Sequence, residues 1–449
     1  MSNLEMWLIL AGLCLAFPVA AMATAWLVRP AKKQSDEKLT CYECGVDTVG
    51  PTWTPFKANY FKYALVFLLF DVEVLFLFPW AVIFYEVVVI PIYLMVIMFG
   101  SSKRVTKEYA GMKLTIYLLI GSALLLLGLL WLFVMGQQIT GTYTMDIFEL
   151  AKIDFPVMYQ IIIFAMMSVG FGTLLSMFPF HAWSPDGYAG APTAVSMIHA
   201  GVLKKIGGYA LIRVGLFILP VGAKALAPIL VVLGLANVVY AAFICLRQTD
   251  LKYVVGYSSV SHMGYVVIGI AALNIISLNG AVVMMFAHGV MAALFFAMVG
   301  SVYDKTHTRH IPDLGGLAHQ MPRTAVGLML AGLASLGLPG TVNFIGEFTI
   351  FVGVFRVYPA IAVLAISGIV FTAVYVLRAL GNVLFGPRKE NWDQLQDLRG
   401  VELIPLVVLG LGILIPGILP ATIMDIVNSG VEGIGPATAV LSQVFGGVR

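Results

Sequence analysis

Long apolar runs separated by short polar segments dominate the chain. A helix that crosses the hydrocarbon core needs about 20 mainly apolar residues. Runs of that kind lie at 4–28, 58–78, 80–101, 113–135, 157–178, 190–215, 226–246, 252–273, 278–302, 324–352, 358–385 and 401–423. They predict an all-α polytopic membrane protein of about twelve transmembrane helices. The second and third runs are nearly fused, because 64–100 is one apolar stretch with Pro79 near its middle. Proline lacks the backbone N–H that continues a helix. Phe78-Pro79-Trp80 therefore reads as a tight hairpin, with one long kinked helix as the alternative.

Two runs carry internal breaks. Ser176-Met-Phe-Pro179-Phe-His181 interrupts the fifth, and Gly337-Leu-Pro339-Gly340-Thr-Val-Asn343 interrupts the tenth. Irregular backbone at membrane depth persists only inside protein or beside water. Two discontinuous helices in corresponding positions of two halves are the pattern of inverted repeats, with the ion path at the breaks. A plain proline kink is the competing reading of either break.

The polar segments give an orientation. The first run is preceded by Glu5 and followed by Arg29, Lys32 and Lys33. A cleavable signal would have its positive charge in front, so this run reads as a helix with its N-terminus outside. The segments beginning at 29, 102, 247, 303 and 386 hold basic residues, among them Lys103, Arg104, Arg247, Lys305, Arg309 and Arg388. The alternate segment 136–156 holds Asp146, Glu149 and Asp154 against Lys152. Basic residues favour the cytoplasmic side, and an even span count then puts both termini outside.

Composition agrees with the pattern. Of 449 residues, 60% are hydrophobic and 11% charged, where a soluble domain carries about 25% charged residues. A net charge of +3 makes no case for nucleic acid. Four cysteines are too few and too scattered for a disulfide scaffold. Cys41-x-x-Cys44 lacks a second ligand pair, so no metal is expected there. No phosphate loop, nicotinamide or flavin fingerprint, or iron–sulfur cysteine set is present in the sequence, and the chain is expected to bind no redox cofactor of its own.

The candidate chemistry lies inside the apolar runs, where an ionisable side chain is costly and reads as functional by default. Asp71 and Glu73 sit deep in the second run; two residues apart, they face different directions. Glu86 lies about two turns into the third, unless the Pro79 hairpin leaves it near the interface. Lys204 and Lys205 interrupt the sixth and point about 100° apart on a helix. His262 and His288 lie mid-run on consecutive helices, and histidine suits proton transfer near neutral pH. Glu347 follows the second break, well placed to reach water. Lys252 reads as an interfacial charge, and His307, Arg309 and His310 as a solvated loop face.

Two resemblances now stand out. Residues 1–83 resemble the A-type subunit of bacterial respiratory complex I, the proton-pumping NADH:quinone oxidoreductase. They carry Leu39-Thr-Cys41-Tyr-Glu-Cys44-Gly-Val-Asp47 in the loop 29–57, then Phe70-Asp71-Val72-Glu73 and Phe76-Leu-Phe-Pro79-Trp80. Residues 84–449 resemble a truncated antiporter-like M-type subunit of the same complex. Here the motifs are Tyr85-Glu86, His181-Ala-Trp-Ser-Pro-Asp186, Gln248-Thr-Asp250-Leu-Lys252, Ser258-Ser-Val-Ser-His262-Met-Gly264, Leu338-Pro-Gly340 and Gly346-Glu347-Phe348.

The resemblance implies roles. Cys44 belongs to a loop lining the quinone region, and Asp71 and Glu73 to the carboxylate path that leaves it. Glu86 is the regulatory carboxylate of the pump module, Lys205 its central lysine and Glu347 its exit carboxylate. His262 and His288 lie on the hydrophilic axis between them. Leu174 stands where M-type subunits place the lysine that pairs with the residue matching Glu86. The A-like part lacks its third helix and the M-like part its first four.

Together these imply a membrane-arm subunit in a bacterial inner membrane, coupling quinone reduction to proton translocation. Quinone would bind at a neighbouring site, and NADH, FMN and iron–sulfur clusters on partner subunits. Its partners are the other membrane subunits, the peripheral arm and the lipid bilayer. The alternatives are a subunit of a multi-subunit sodium/proton antiporter and a non-functional fusion product.

Overall fold

A computed structural model describes residues 89, 91–101, 105–387, 392 and 394–432. The chain divides into units Met1–Val66 and Phe67–Arg449, and every described residue belongs to the second. The first two expected spans, the Pro79 hairpin, Cys44, Asp71, Glu73 and Glu86 lie outside the described residues.

The described chain is helical nearly throughout. Its main helices are α1 (91–99), α2 (Lys107–Thr140), α3 (Val157–Leu175), α4 (Trp183–Gly190) and α5 (193–218). There follow α6 (Pro220–Cys245), α7 (Leu251–Ala271), α8 (Ile275–Thr306), α9 (Pro322–Ser335) and α10 (Val342–Val357). The last three are α11 (Pro359–Leu384), α12 (Leu403–Ile418) and α13 (Ala421–Glu432). Among the described residues, 7 helices are long and apolar enough to span a bilayer. The runs 190–215 and 324–352 do not appear as unbroken α-helices. In α5, π-helical turns at His199–Leu203 and Leu211–Leu216 flank the α-helical Lys204–Ala210. The other run divides into α9 and α10, each too short to span alone.

Local chemistry sets the helix ends. Thr106 caps α2 by accepting from the Tyr109 N–H at 3.3 Å, and Gly141 ends it at φ 74°. Asp250 caps α7 through the Lys252 N–H at 2.9 Å, and Asn274 caps α8 through the Ser277 N–H at 2.9 Å. Helix α3 ends in a Schellman turn at Ser176 (φ 64°), with the Met177 N–H on the Gly172 carbonyl and the Ser176 N–H on Thr173.

Helix α7 is the centre of the packing. It is buried almost end to end and lies against α6 and α8, while α8 also packs on α5, α9, α10 and α12. The outer helices are two-faced. Along α2, Leu114, Leu118, Leu125 and Leu132 point inward, while Ile116, Ile120, Leu127, Leu130 and Val134 stay exposed. Apolar exposure on that scale marks a surface made for lipid.

Non-helical backbone between α3 and α4 is held from within. The Asn237 amide donates to the carbonyls of Ser176 at 2.9 Å and Val260 at 3.2 Å, and its oxygen accepts from the Phe178 N–H. The Trp183 indole spans the gap to the Thr173 carbonyl at 3.0 Å. Between α9 and α10 the chain turns through Gly337 (φ 68°) and Gly340 (φ 94°).

Candidate functional site

Five of the six ionisable residues expected to carry protons are described, and four of them form one row. Lys205 donates to His288 Nδ1 at 2.7 Å and to the Ala200 carbonyl. The His288 and His262 rings lie 5.5 Å apart between centroids. His262 Nε2 lies 3.7 Å from Glu347 Oε1. His262, His288 and Glu347 are buried, and Lys205 is partly so. The row therefore runs from α5 through α8 and α7 to α10.

Backbone geometry makes the row possible. At the crossing of α5 and α8, Gly201 faces Gly289; a methyl added at Gly289 would sit 2.7 Å from the Gly201 carbonyl oxygen. Paired glycines let two membrane helices approach this closely, and Lys205 and His288 lie one turn or less from that contact. The π turn before Lys204 shifts the helix register, as such turns often do at functional sites. At the far end, Gly337 leaves room that a side chain would take from the Glu347 carboxylate.

His262 is held on both ring nitrogens. Nδ1 faces the Ser258 carbonyl at 2.6 Å, and Nε2 faces the Ser335 carbonyl at 3.0 Å. A carbonyl only accepts, so the ring can present an N–H to either side, and whichever nitrogen lacks one is free to take a proton. The Ser258 hydroxyl reaches His262 Nδ1 at 3.3 Å and Ser335 Oγ at 3.2 Å.

Both ends of the row meet open grooves. Lys205 lines one of about 550 Å³ with Met197, Tyr209, Met285 and Phe286. Glu347 lines one of about 520 Å³ with Phe344, Phe348, Phe351 and Arg356.

Lys204 lies apart from this row. It is wholly enclosed and bonds Ser184 Oγ at 3.1 Å and Ser259 Oγ at 3.0 Å. Adjacent residues on a helix diverge by about 100°, so the two lysines serve different surroundings.

Two readings from the sequence are corrected. Arg309 is 4% exposed, not a solvated loop charge. Its Nε donates to Asp250 at 2.7 Å and its Nη1 to the Ala189 carbonyl at 2.8 Å. Lys252 is equally buried and donates to the Ala191 carbonyl at 2.6 Å. The loop after α8 folds back beside α7, pairing Asp250 with His310 in an antiparallel bridge. Together these bonds clamp the α4–α5 junction and so fix where α5 starts. Sequence reasoning also passed over the Lys113–Asp186 pair at 2.7 Å, joined by the Tyr253 hydroxyl at 2.7 Å. It passed over the buried Asn237 and His199 as well. The polar residues Asp250, Lys252, Ser258 and Ser259 close to the start of one apolar run were the available signal.

Such a fold, apolar outside with a row of titratable groups close together inside, defines a multi-pass membrane protein with a buried polar cluster. Comparison with known proteins is specific. The chain belongs to the NADH:quinone oxidoreductase/Mrp antiporter transmembrane family, whose model matches residues 78–372. A second model, NADH-ubiquinone/plastoquinone oxidoreductase chain 3, matches residues 18–137. Both resemblances read from the motifs are thus supported.

Among the relatives, F(420)H(2) dehydrogenase subunit M of Methanosarcina mazei is 38% identical over 357 residues, covering 78% of this chain and 71% of that protein. NADH-quinone oxidoreductase subunit M of Pseudomonas aeruginosa is 38% identical over 358 residues, covering 78% and 69%. A chain of respiratory complex I from Thermus thermophilus superposes with a TM-score of 0.72 at 24% identity, covering 79% of this chain and 74% of that one. That last likeness concerns the fold.

Proposed function

We propose that this chain is a membrane-arm subunit of a complex I-type quinone oxidoreductase that couples quinone reduction elsewhere to proton translocation. The observation that carries the reading is the row Lys205–His288–His262–Glu347, in which a hydrogen bond, a ring contact and a close imidazole–carboxylate approach follow one another. Lysine, imidazole and carboxylate each hold or release a proton. Spacings of hydrogen-bond length, or of one intervening water, suit stepwise transfer. Lys205 receives the proton, the two imidazoles pass it on, and Glu347 releases it.

In this reading the chain forms about twelve spans, with discontinuous helices at 176–181 and 337–343 in inverted repeats. Residues 1–83 form the A-like part and 84–449 the pump module. Cys44, Asp71 and Glu73 lie on the quinone side, and Glu86 regulates the row. The membrane is a bacterial inner membrane, with both termini on its outer face. The chain binds no redox cofactor; quinone, NADH, FMN and iron–sulfur clusters belong to partner sites. A sodium/proton antiporter subunit is the second reading within the family, and the match at 18–137 to a quinone oxidoreductase chain weighs against it.

Lys205→Ala in the native host tests the proposal. In membrane vesicles, proton uptake per quinone reduced is expected to fall by about a hundredfold, the low end of what one positioned proton-transfer group contributes. Unchanged reductase rate and unchanged uptake would remove the lysine from the path.

A further inference from the structure

Lys204 is the wholly buried group that the row above does not use. Its ammonium has two hydroxyl partners, Ser184 and Ser259, and the ring of Tyr188 at 5.4 Å. Among the described residues no carboxylate lies within ion-pair distance of it. Burying an unpaired charge costs several kcal/mol or more, and an aliphatic side chain would fill the space at no such cost. Stability therefore gives no account of a lysine here.

Its surroundings do. Ser184 lies in the first turn of α4, two residues before Asp186, which holds Lys113 and the Tyr253 hydroxyl. Ser259 follows Ser258, whose hydroxyl touches both His262 and Ser335. His199, one turn before Lys204, stacks on Trp183 at 5.1 Å and leaves Nε2 buried without a hydrogen-bond partner. Lys204 thus bridges the segment after the first break and the face of α7 that carries His262.

Resting on the proton-translocation reading, we propose that Lys204 is a second proton carrier, feeding the Lys205 row from the Ser184–Asp186 side. In the step, an Nζ–H bond of the ammonium breaks and an O–H bond forms at Ser259, whose own O–H bond breaks as its proton leaves through a bridging water to the ring nitrogen of His262 that lacks one, three residues on along the same side of α7. A neutral amine remains at Lys204, and no electron moves. A proton on Lys204 also repels one on the neighbouring Lys205, which drives the latter onto His288.

Lys204→Leu and Lys204→Arg test this in vesicles holding the assembled complex. Arginine keeps the charge but does not release its proton, so a role in fixed charge or packing would be rescued by it. Both variants are expected to lower proton uptake per quinone reduced by at least about tenfold, still short of the contribution of a fully positioned transfer group. Native uptake in either one overturns the proposal. If Lys204→Leu fails to assemble, Ser184→Ala combined with Ser259→Ala leaves the lysine and removes its partners. That double variant is expected to lose uptake in the same way, and native uptake in it overturns the proposal. Lys205→Ala separates the two claims: normal uptake there sinks the functional reading, whereas lost uptake there beside normal Lys204 variants sinks this one alone.

Discussion

Glu347 sits where a turn, a helix start and an imidazole converge. Replacing it by Gln keeps its shape and removes its exchangeable charge. Glu347→Gln is expected to leave assembly unchanged and cut proton uptake about a hundredfold, read in vesicles against quinone reduction. Gly337 serves it twice, through a positive φ and through the space it leaves for the carboxylate. Gly337→Ala is expected to cost about 1–3 kcal/mol for the strained backbone and to lower uptake by moving Glu347, checked by Tm in detergent and by the vesicle assay. Arg309 and Asp250 form a different kind of pair, buried and structural. Arg309→Met leaves a buried carboxylate unpaired and is expected to cost about 3–5 kcal/mol. Adding Asp250→Asn, which removes the unpaired charge and keeps the cap on the Lys252 N–H, is expected to recover part of that loss in Tm. That partnership was not legible in the sequence, since Arg309 lies 59 residues from Asp250 and its neighbours in the chain are polar.

Elements bring these residues together by how closely they approach. Gly201 and Gly289 allow α5 against α8, and Gly289→Val is expected to part Lys205 from His288 while sparing both side chains. Proton uptake should then drop as steeply as in Lys205→Ala, with the complex still assembled on native gels. Asn237 acts on another element, the non-helical stretch between α3 and α4. Asn237→Ala strands the backbone groups of Ser176 and Phe178 and is expected to cost about 1–3 kcal/mol of stability, seen as a lower Tm. The long helices were legible as apolar runs, and α7 and α8 begin within a few residues of where the pattern puts them. The extent of α2 was not: it runs from Lys107 to Thr140, well beyond the apolar run 113–135, because Thr106 and Gly141 set its ends. Proline and glycine marked the positions where helices stop at 176 and 336. They carried no information about Asn237, which holds the first stop from 61 residues away.

At the scale of the molecule, charge distribution and lipid-facing surface set orientation. With basic segments cytoplasmic, a cysteine placed at Gln394 is expected to react with impermeant thiol reagent from the cytoplasmic side, and one at Thr142 from the opposite side. The reverse labelling pattern would invert the topology and the direction of the path.

The membrane class, the order of the apolar helices, the two breaks and the set of ionisable residues inside the runs were all determined by the sequence. Each follows from a local quantity: the length of an apolar run, a missing backbone donor, or the cost of a charge in hydrocarbon. Which of those residues meet was decided by the tertiary structure alone. Lys205 reaches His288 because two glycines face each other across helices. Lys204 turns to two serines because it lies one residue round the same helix. Lys252 and Arg309 are drawn inside because a loop folds back on α7. Contacts of this kind depend on distances between segments far apart in the chain, and no local pattern of residues encodes those distances.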